Sequence, residues 1–351
     1  MYYQVRIPAE QRDVLRFLWI GDDEAVHQFR MTGHVFGGVW CASSTSYALR
    51  QSLVNRSVDY DDVSETILRS FYVDDCLRSL EEKGEVTRII EHTRSILSDS
   101  GFNLTKFMVN NNDILQNIPP EHRAAQAKDL NPSTCSKVLG IKWNVATDEF
   151  YFDADVVFES KVTKRSILSV VASMYDPLGF INPLIFQEAT ILKSTWDEEL
   201  PREFASRWLS WFEGLKNLSA FHIPRCIKPC TFNDAVMELH VFSDSSERAY
   251  GSCCYLRLVN KDGHIHTSLL LAKSRVGPRR FVSIPRLELQ AAVLSVQLES
   301  ILKRELDIPL MESYFWTDSE IVLKYISNDS RRFQVFVANR VSNIRQSTDP
   351  S

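Results

Sequence analysis

Residues 237–246, MELHVFSDSS, open the stretch that decides the fold, and YGSCCYLRLV (250–259) and HIHTSLLLAKS (264–274) follow across a turn at Asn260-Lys261-Asp262-Gly263. Apolar runs of this length on either side of an Asn/Asp/Gly turn predict a three-stranded antiparallel meander. A helix from about Pro285 to Leu302, a strand SYFWT (313–317) and a helix from Asp318 complete a β-β-β-α-β-α order. Pro285 suits a first helical turn, where its missing N–H has no partner to lose.

Before this unit, HIPRCIKPC (222–230) reads as a linker, and 163–218 reads as helical throughout, broken at Pro177, Pro183 and Pro201. Toward the N-terminus, 61–68 predicts a short helix, SFYV (70–73) and CLRSL (76–80) predict strands, and 81–98 predicts an amphipathic helix. Val86, Ile89, Ile90, Thr93, Ile96 and Leu97 share one face of it, and Gly101 stops it. KVLGIKWNV and EFYF add two strand signals.

Two acidic constellations stand out. Asp74 and Asp75 occupy the tip of the hairpin expected around FYVDD (71–75). Asp in a turn is ordinary chemistry, but adjacent like charges at a strand end repel unless a cation is shared with a third carboxylate. The second set is Asp244 at the end of the first strand, Glu288 in the first turn of the helix, and Asp318 after the fourth strand as an N-cap. Each has a local role alone, as turn, dipole-matched or capping residue. Together, on a sheet that brings the ends of its first and fourth strands side by side, they form a set of hard oxygen ligands suited to Mg²⁺ or Mn²⁺.

Composition narrows the classes. In 351 residues the formal charge is −5, 44% of residues are hydrophobic and 24% charged, an ordinary globular composition. No apolar run spans a bilayer and MYYQVRIPAEQRD lacks the features of a signal peptide, so an intracellular site is expected, with no membrane partner. Seven scattered cysteines fit reduced thiols. His222, Cys226 and Cys230 have no second ligand pair at finger-like spacing and read as connector residues.

FYVDD, with FGGVWCASSTSYALR (36–50) upstream and GFNLTKFMVNN (101–111) and KVLGIKWNVATDEF (137–150) downstream, resembles the palm of a retroelement reverse transcriptase. SMYDPLGFINPLIFQEATILKSTWDEELP (173–201), HVFSDSSERAYG (240–251), IPRLELQAAVL (284–294), FWTDSEIVLKYI (315–326) and FVANRVSNI (336–344) resemble, in order, the Pol polyprotein of BEL/Pao-class LTR retrotransposons, including its Pao peptidase-family region.

The resemblance implies a mixed α+β and α/β chain. Its expected parts are a partial palm without fingers (1–160), a helical thumb or connection (161–235) and an RNase H-like mixed-sheet domain lacking its C-terminal part (236–351). It implies two-metal chemistry with Mg²⁺ or Mn²⁺ on template-primer, dNTP and RNA–DNA hybrid. Asp74 and Asp75 would be metal ligands, Tyr72 and Val73 would support the primer end, and Phe36 with Gly37 would lie near the incoming nucleotide. Asp244, Glu288 and Asp318 would be three of four RNase H acids. Lys273, Arg275, Arg279, Arg280 and Arg286 would track nucleic-acid phosphates, with a solvated basic loop as the plainer reading.

The family's further palm Asp precedes the stretch like MYYQVRIP, and its fourth RNase H acid follows FVANRVSNI. Asp13, Asp22, Asp23, Asp59, Asp61 and Asp62 do not stand on the required strand by pattern. The metal sites are therefore expected to be incomplete, with polymerase activity of this polypeptide absent and hydrolysis inefficient. The alternative is a catalytically inactive or domesticated nucleic-acid-binding remnant. The expected setting is the cytoplasm or a virus-like particle, with the nucleus as an alternative, in association with the rest of a polyprotein. Asp99-Ser100-Gly101 has the letters of an aspartic protease site but reads as a helix stop.

Overall fold

A computed structural model describes residues 1–54, 61–125, 135–138, 140–152, 161–189, 195–278, 281–310, 312–330 and 332–348. Two compact units divide it: Met1–Leu139 with Trp143–Thr147, and Gly140–Lys142 with Asp148–Ser351.

The first unit opens with an antiparallel hairpin of β1 (Arg16–Ile20) and β2 (Val26–Arg30), which the sequence reading did not separate. Helices α1 (Cys41–Gln51) and α2 (Asp61–Arg69) follow, then β3 (Phe71–Tyr72), β4 (Asp75–Cys76), α3 (Lys83–Asp99) and α4 (Asn112–Asn117). Ile89, Thr93, Ile96 and Leu97 of α3 are buried, and the three apolar ones pack with Leu49, Val63, Ile67 and Phe102. Gly101 takes φ +84°, and the Gly101 and Phe102 N–H groups donate to Ser98 and Leu97 carbonyls, the turn that a left-handed residue permits. The proposed strand CLRSL shrinks to Cys76, because Arg78 turns aside to pair with Glu65 on α2 at 2.6 Å. Strands β5 (Cys135–Val138) and β6 (Ile141–Asn144) come next in the chain, and β7 (Glu149–Tyr151) belongs to the second unit.

In the second unit the helical stretch is less continuous than its pattern predicts. Helix α5 (Lys164–Ser173) begins at a capping box in which Thr163 and Ser166 satisfy each other's backbone N–H. Pro183 is the second residue of helix α6 (Asn182–Ala189) and Pro201 is the N-cap of α7 (Arg202–Gly214), so these prolines open helices rather than interrupt one. Residues 195–200 are not helical; the Leu200 N–H donates to Val162 and the Arg165 N–H to Trp196 instead. Trp208 centres this cluster with Phe152, Ile167, Ile181 and Leu215. Strand β8 (His222–Pro224) pairs antiparallel with β7.

The main sheet contains β9 (Val236–Ser245), β10 (Ala249–Val259), β11 (Ile265–Val276) and β12 (Glu312–Trp316), in the order β11-β10-β9-β12. β9, β10 and β11 form the expected meander, and β12 runs parallel to β9 with Trp316 beside Phe242. Met237, Leu239 and Val241 alternate inward from β9, while His240 and Phe242 point to the other face.

Helix α8 (Ile284–Glu305) is apolar on two sides. Leu287, Ala291, Leu294, Leu298 and Leu302 recur at three- and four-residue spacing and join the core cluster of the sheet. Leu289, Ala292 and Val296 join Val322 of α9 (Glu320–Ile326) and Val337, Val341 and Ile344 of α10 (Val335–Ser347). A helix flanked on both sides must be buried along most of its length, and this fixes its rotation. The result is a mixed α/β fold in which the end of β9, the start of α8 and the exit of β12 share one edge. Helix α10 was not anticipated from the pattern.

Candidate metal centre

Asp244, the penultimate residue of β9, lies one strand from the end of β12, and Asp318 leaves β12 two residues after Trp316. Glu288 reaches the same place from α8. One carboxylate oxygen from each residue lies within 4.8 Å of the others. Among the described residues this is the one group of three or more His, Cys, Asp or Glu side chains so gathered. His222, Cys226 and Cys230 do not form one.

The local roles considered for these acids are partly displaced. Ser319 caps α9, its hydroxyl accepting from the Val322 N–H, so the carboxylate of Asp318 is not used as the N-cap. Glu288 is the fifth residue of α8 and lies beyond its first turn, because the helix starts at Ile284. Asp244 does retain a local bond, accepting the Ser245 N–H at 2.6 Å.

Asp244 and Asp318 are exposed, whereas Glu288 is only 7% exposed. Its Oε2 is buried without a hydrogen-bond partner. Burial pushes the Glu288 carboxyl above the usual glutamate range, the neighbouring Ser245 opposes this in part, and the charges of Asp244 and Asp318 push it further up. A buried, unpartnered carboxylate oxygen facing two further carboxylates is costly by itself and is relieved by a hard divalent cation. The donor set therefore fits Mg²⁺ or Mn²⁺.

The basic residues divide. Lys273 and Arg275 are exposed on β11, beside Ser252 and Tyr250 of β10, and Arg286 is exposed on α8 two residues before Glu288. Arg279 and Arg280 lie outside the described residues.

In the first unit, Tyr72 pairs with Asp75, so Val73 and Asp74 form the two-residue turn and Asp75 opens the return strand. This corrects the expected Asp pair at the tip. Val73 takes φ +57°, a strained value for a β-branched residue. Tyr72, Asp74 and Asp75 are exposed. Phe36 is 68% exposed beside Tyr2, with ring centroids 4.5 Å apart, and Gly37 has φ +95° with open space around it.

A further feature escaped the sequence reading. On the sheet face opposite α8, His240 stacks on Tyr314 and Trp316, and Phe242 stacks on Trp316. Phe242 and Trp316 each stand two residues before an acid of the cluster. The alternation of aromatic residues in HVF and YFW is the signal that could have revealed it.

Residues 163–319 match the family model described as the Pao retrotransposon-like RNaseH-like domain. The resemblance to Pao-class retroelements drawn from the sequence is matched by that model over this span. Two solved structures of a foamy viral protease-reverse transcriptase are similar in fold. One, the dRH form in complex with double-stranded DNA, has a TM-score of 0.52 and 14% identity over 97% of this chain and 52% of the other. The second, also in complex with double-stranded DNA, has a TM-score of 0.52 and 15% identity over 98% of this chain and 63% of the other. This chain thus spans roughly half to under two thirds of the length of those it matches. No curated protein matches it. No helix among the described residues is long and apolar enough to cross a membrane.

Proposed function

We propose that this chain, with its Pao-type RNase H-like region, hydrolyses the RNA strand of an RNA–DNA hybrid at the Asp244, Glu288 and Asp318 cluster. The observation that carries this reading is the convergence of three carboxylates, from a strand end, a helix and a second strand exit, around the unpartnered Oε2 of Glu288. Asp244 and Asp318, open to solvent, would hold divalent cations from the substrate side, and Glu288 would hold them from beneath. When bound, paired Mg²⁺ or Mn²⁺ ions supply Lewis-acid stabilisation of phosphoryl oxygens and lower the pKa of an attacking water. Lys273, Arg275 and Arg286, with Arg279 and Arg280, would hold the sugar-phosphate backbone by charge.

The reading extends to the first unit as a palm. Asp74 at the turn and Asp75 on the return strand would serve as metal ligands, with Tyr72 and Val73 at a primer end and Phe36 and Gly37 near a dNTP. Residues 1–160 would be the palm, 161–235 a thumb or connection and 236–351 the RNase H-like domain. The solvent-facing hairpin and the fold shared with a DNA-bound foamy viral enzyme support this assignment. Template-primer and hybrid would be the partners of the two sites.

Cleavage of a labelled RNA–DNA hybrid with Mg²⁺ or Mn²⁺, by the parent and by Asp244→Asn, tests the proposal. Cleavage abolished by the substitution is the expected result. A parent that binds hybrid without cutting it would instead establish the inactive, nucleic-acid-binding alternative.

A further inference from the structure

Arg340, on the second turn of α10, carries a positive charge into a partly buried position with no carboxylate partner among the described residues. Its guanidinium carbon lies 3.5 Å from the ring centroid of Phe336, and one NH donates to the Phe336 carbonyl at 3.0 Å. A second guanidinium, that of Arg286, lies 5.1 Å from the same centroid and donates to Gln334 Oε1 at 3.4 Å. Burial pulls Arg340 below the usual arginine value, with the Tyr250 hydroxyl acting in the opposite direction.

Two cations on one ring face mutual repulsion, and cation–π attraction of about 0.5–2 kcal/mol per guanidinium offsets only part of the repulsion and desolvation. Most of the five N–H donors of Arg340 have no protein acceptor among the described residues. An anion is the group that would satisfy both charges. A guanidinium whose carbon is held over an aromatic ring retains several N–H donors in a planar fork that matches a phosphate, a geometry that lysine does not reproduce. The location fits the cluster described above: Arg286 is two residues from Glu288 on α8, and Tyr250 pairs with Ser245, the neighbour of Asp244.

We propose that Arg340, oriented by Phe336 and acting with Arg286, is a positioning residue that binds one backbone phosphodiester of the strand entering the acidic cluster. The proposal rests on the hybrid-cleavage reading and adds to it a residue on a helix remote in sequence from the three acids.

The test uses the full chain and a fluorescent RNA–DNA hybrid, with anisotropy measured in EDTA over a salt series. Arg340→Gln is expected to weaken binding by about tenfold and to lower the slope of log K against log salt by about 0.9, the loss of one phosphate contact. Arg340→Lys, which keeps the charge, should retain the slope while losing part of the affinity. Mn²⁺-induced thermal shifts should be unchanged in both variants, which also shows that each is folded. An unchanged affinity and slope in Arg340→Gln, or a parent that does not bind hybrid, overturns the proposal. So does a protein in which inorganic phosphate raises the thermal midpoint through Arg340 while hybrid binding does not depend on it. Arg340-dependent binding without cleavage by the parent would leave the phosphate contact standing and remove the hydrolase reading.

Discussion

Gly179 packs against the backbone of Ala272 so closely that a Cβ added to it would stand 2.0 Å from the Ala272 oxygen. The approach lets the Ala272 N–H donate to Leu178 at 2.8 Å and lets Asn182 Nδ2 donate to the Ala272 oxygen at 3.2 Å. Asp176 shapes the turn that makes it, its carboxylate accepting the N–H groups of Gly179, Phe180 and Ile181. A loop outside the main sheet is thereby fastened to edge strand β11.

Gly179→Ala is expected to destabilise the second unit by roughly 2–4 kcal/mol, because φ +80° and the contact with a backbone oxygen both oppose a side chain. Urea unfolding checks this; a midpoint within error of the parent's would show that the loop is not fastened as described.

Charge crowding in the acidic cluster predicts opposite signs with and without metal. In EDTA at neutral pH, Asp318→Asn should raise stability by about 0.5 kcal/mol by removing a like charge. With millimolar Mn²⁺ the parent should gain several degrees in its midpoint and the variant little. Equal metal-induced shifts in the two proteins would rule the carboxylate out as a ligand.

The raised carboxyl of Glu288 sets a pH dependence of definite sign. Between the ordinary value of 4.5 and its raised value, the folded state holds a proton that the unfolded state has released, so stability falls as pH rises through that window. Below 4.5 both states are protonated and no penalty exists; above the raised value the full penalty persists. Metal-free Glu288→Gln should lose this component of the pH slope, and thermal midpoints collected across pH 4 to 8 would reveal an unchanged slope if another group is responsible.

Ser319→Ala should cost about 1 kcal/mol through the lost cap of α9 while leaving Mn²⁺ affinity within about twofold. Asp318→Asn should do the reverse, with α9 intact and affinity lost. Paired calorimetric and thermal measurements separate the two; a large loss of affinity in the serine variant would mean that cap and ligand are not independent.

The meander and α8 were legible because their signals are local. Alternation of apolar residues in MELHV, the Asn-Lys-Asp-Gly turn and Pro285 ahead of a periodic apolar run each act through neighbouring residues. Helix α3 was legible for the same reason, down to its stop at Gly101. The stretch 163–218, which reads as helices broken at Pro177, Pro183 and Pro201, departs from that pattern at 195–200, which is held out of helical form by bonds to Val162 and Arg165, distant in sequence. The end of CLRSL was decided by a pairing of Arg78 with Glu65 that no local pattern encodes.

The three acids could be named from the sequence because Asp244 and Asp318 stand at recognisable strand ends and Glu288 lies early in a strongly periodic helix. Their approach to within 4.8 Å was decided only when β12 paired parallel to β9 and the sheet and α9–α10 packed on opposite sides of α8, setting its rotation. The burial of Glu288, the replacement of Asp318 by Ser319 as the cap, and the gathering of Arg286 and Arg340 on Phe336 likewise depend on contacts between segments far apart in the chain. Local propensity chooses the elements, whereas the distances that make a site arise from packing, which is a property of the whole fold.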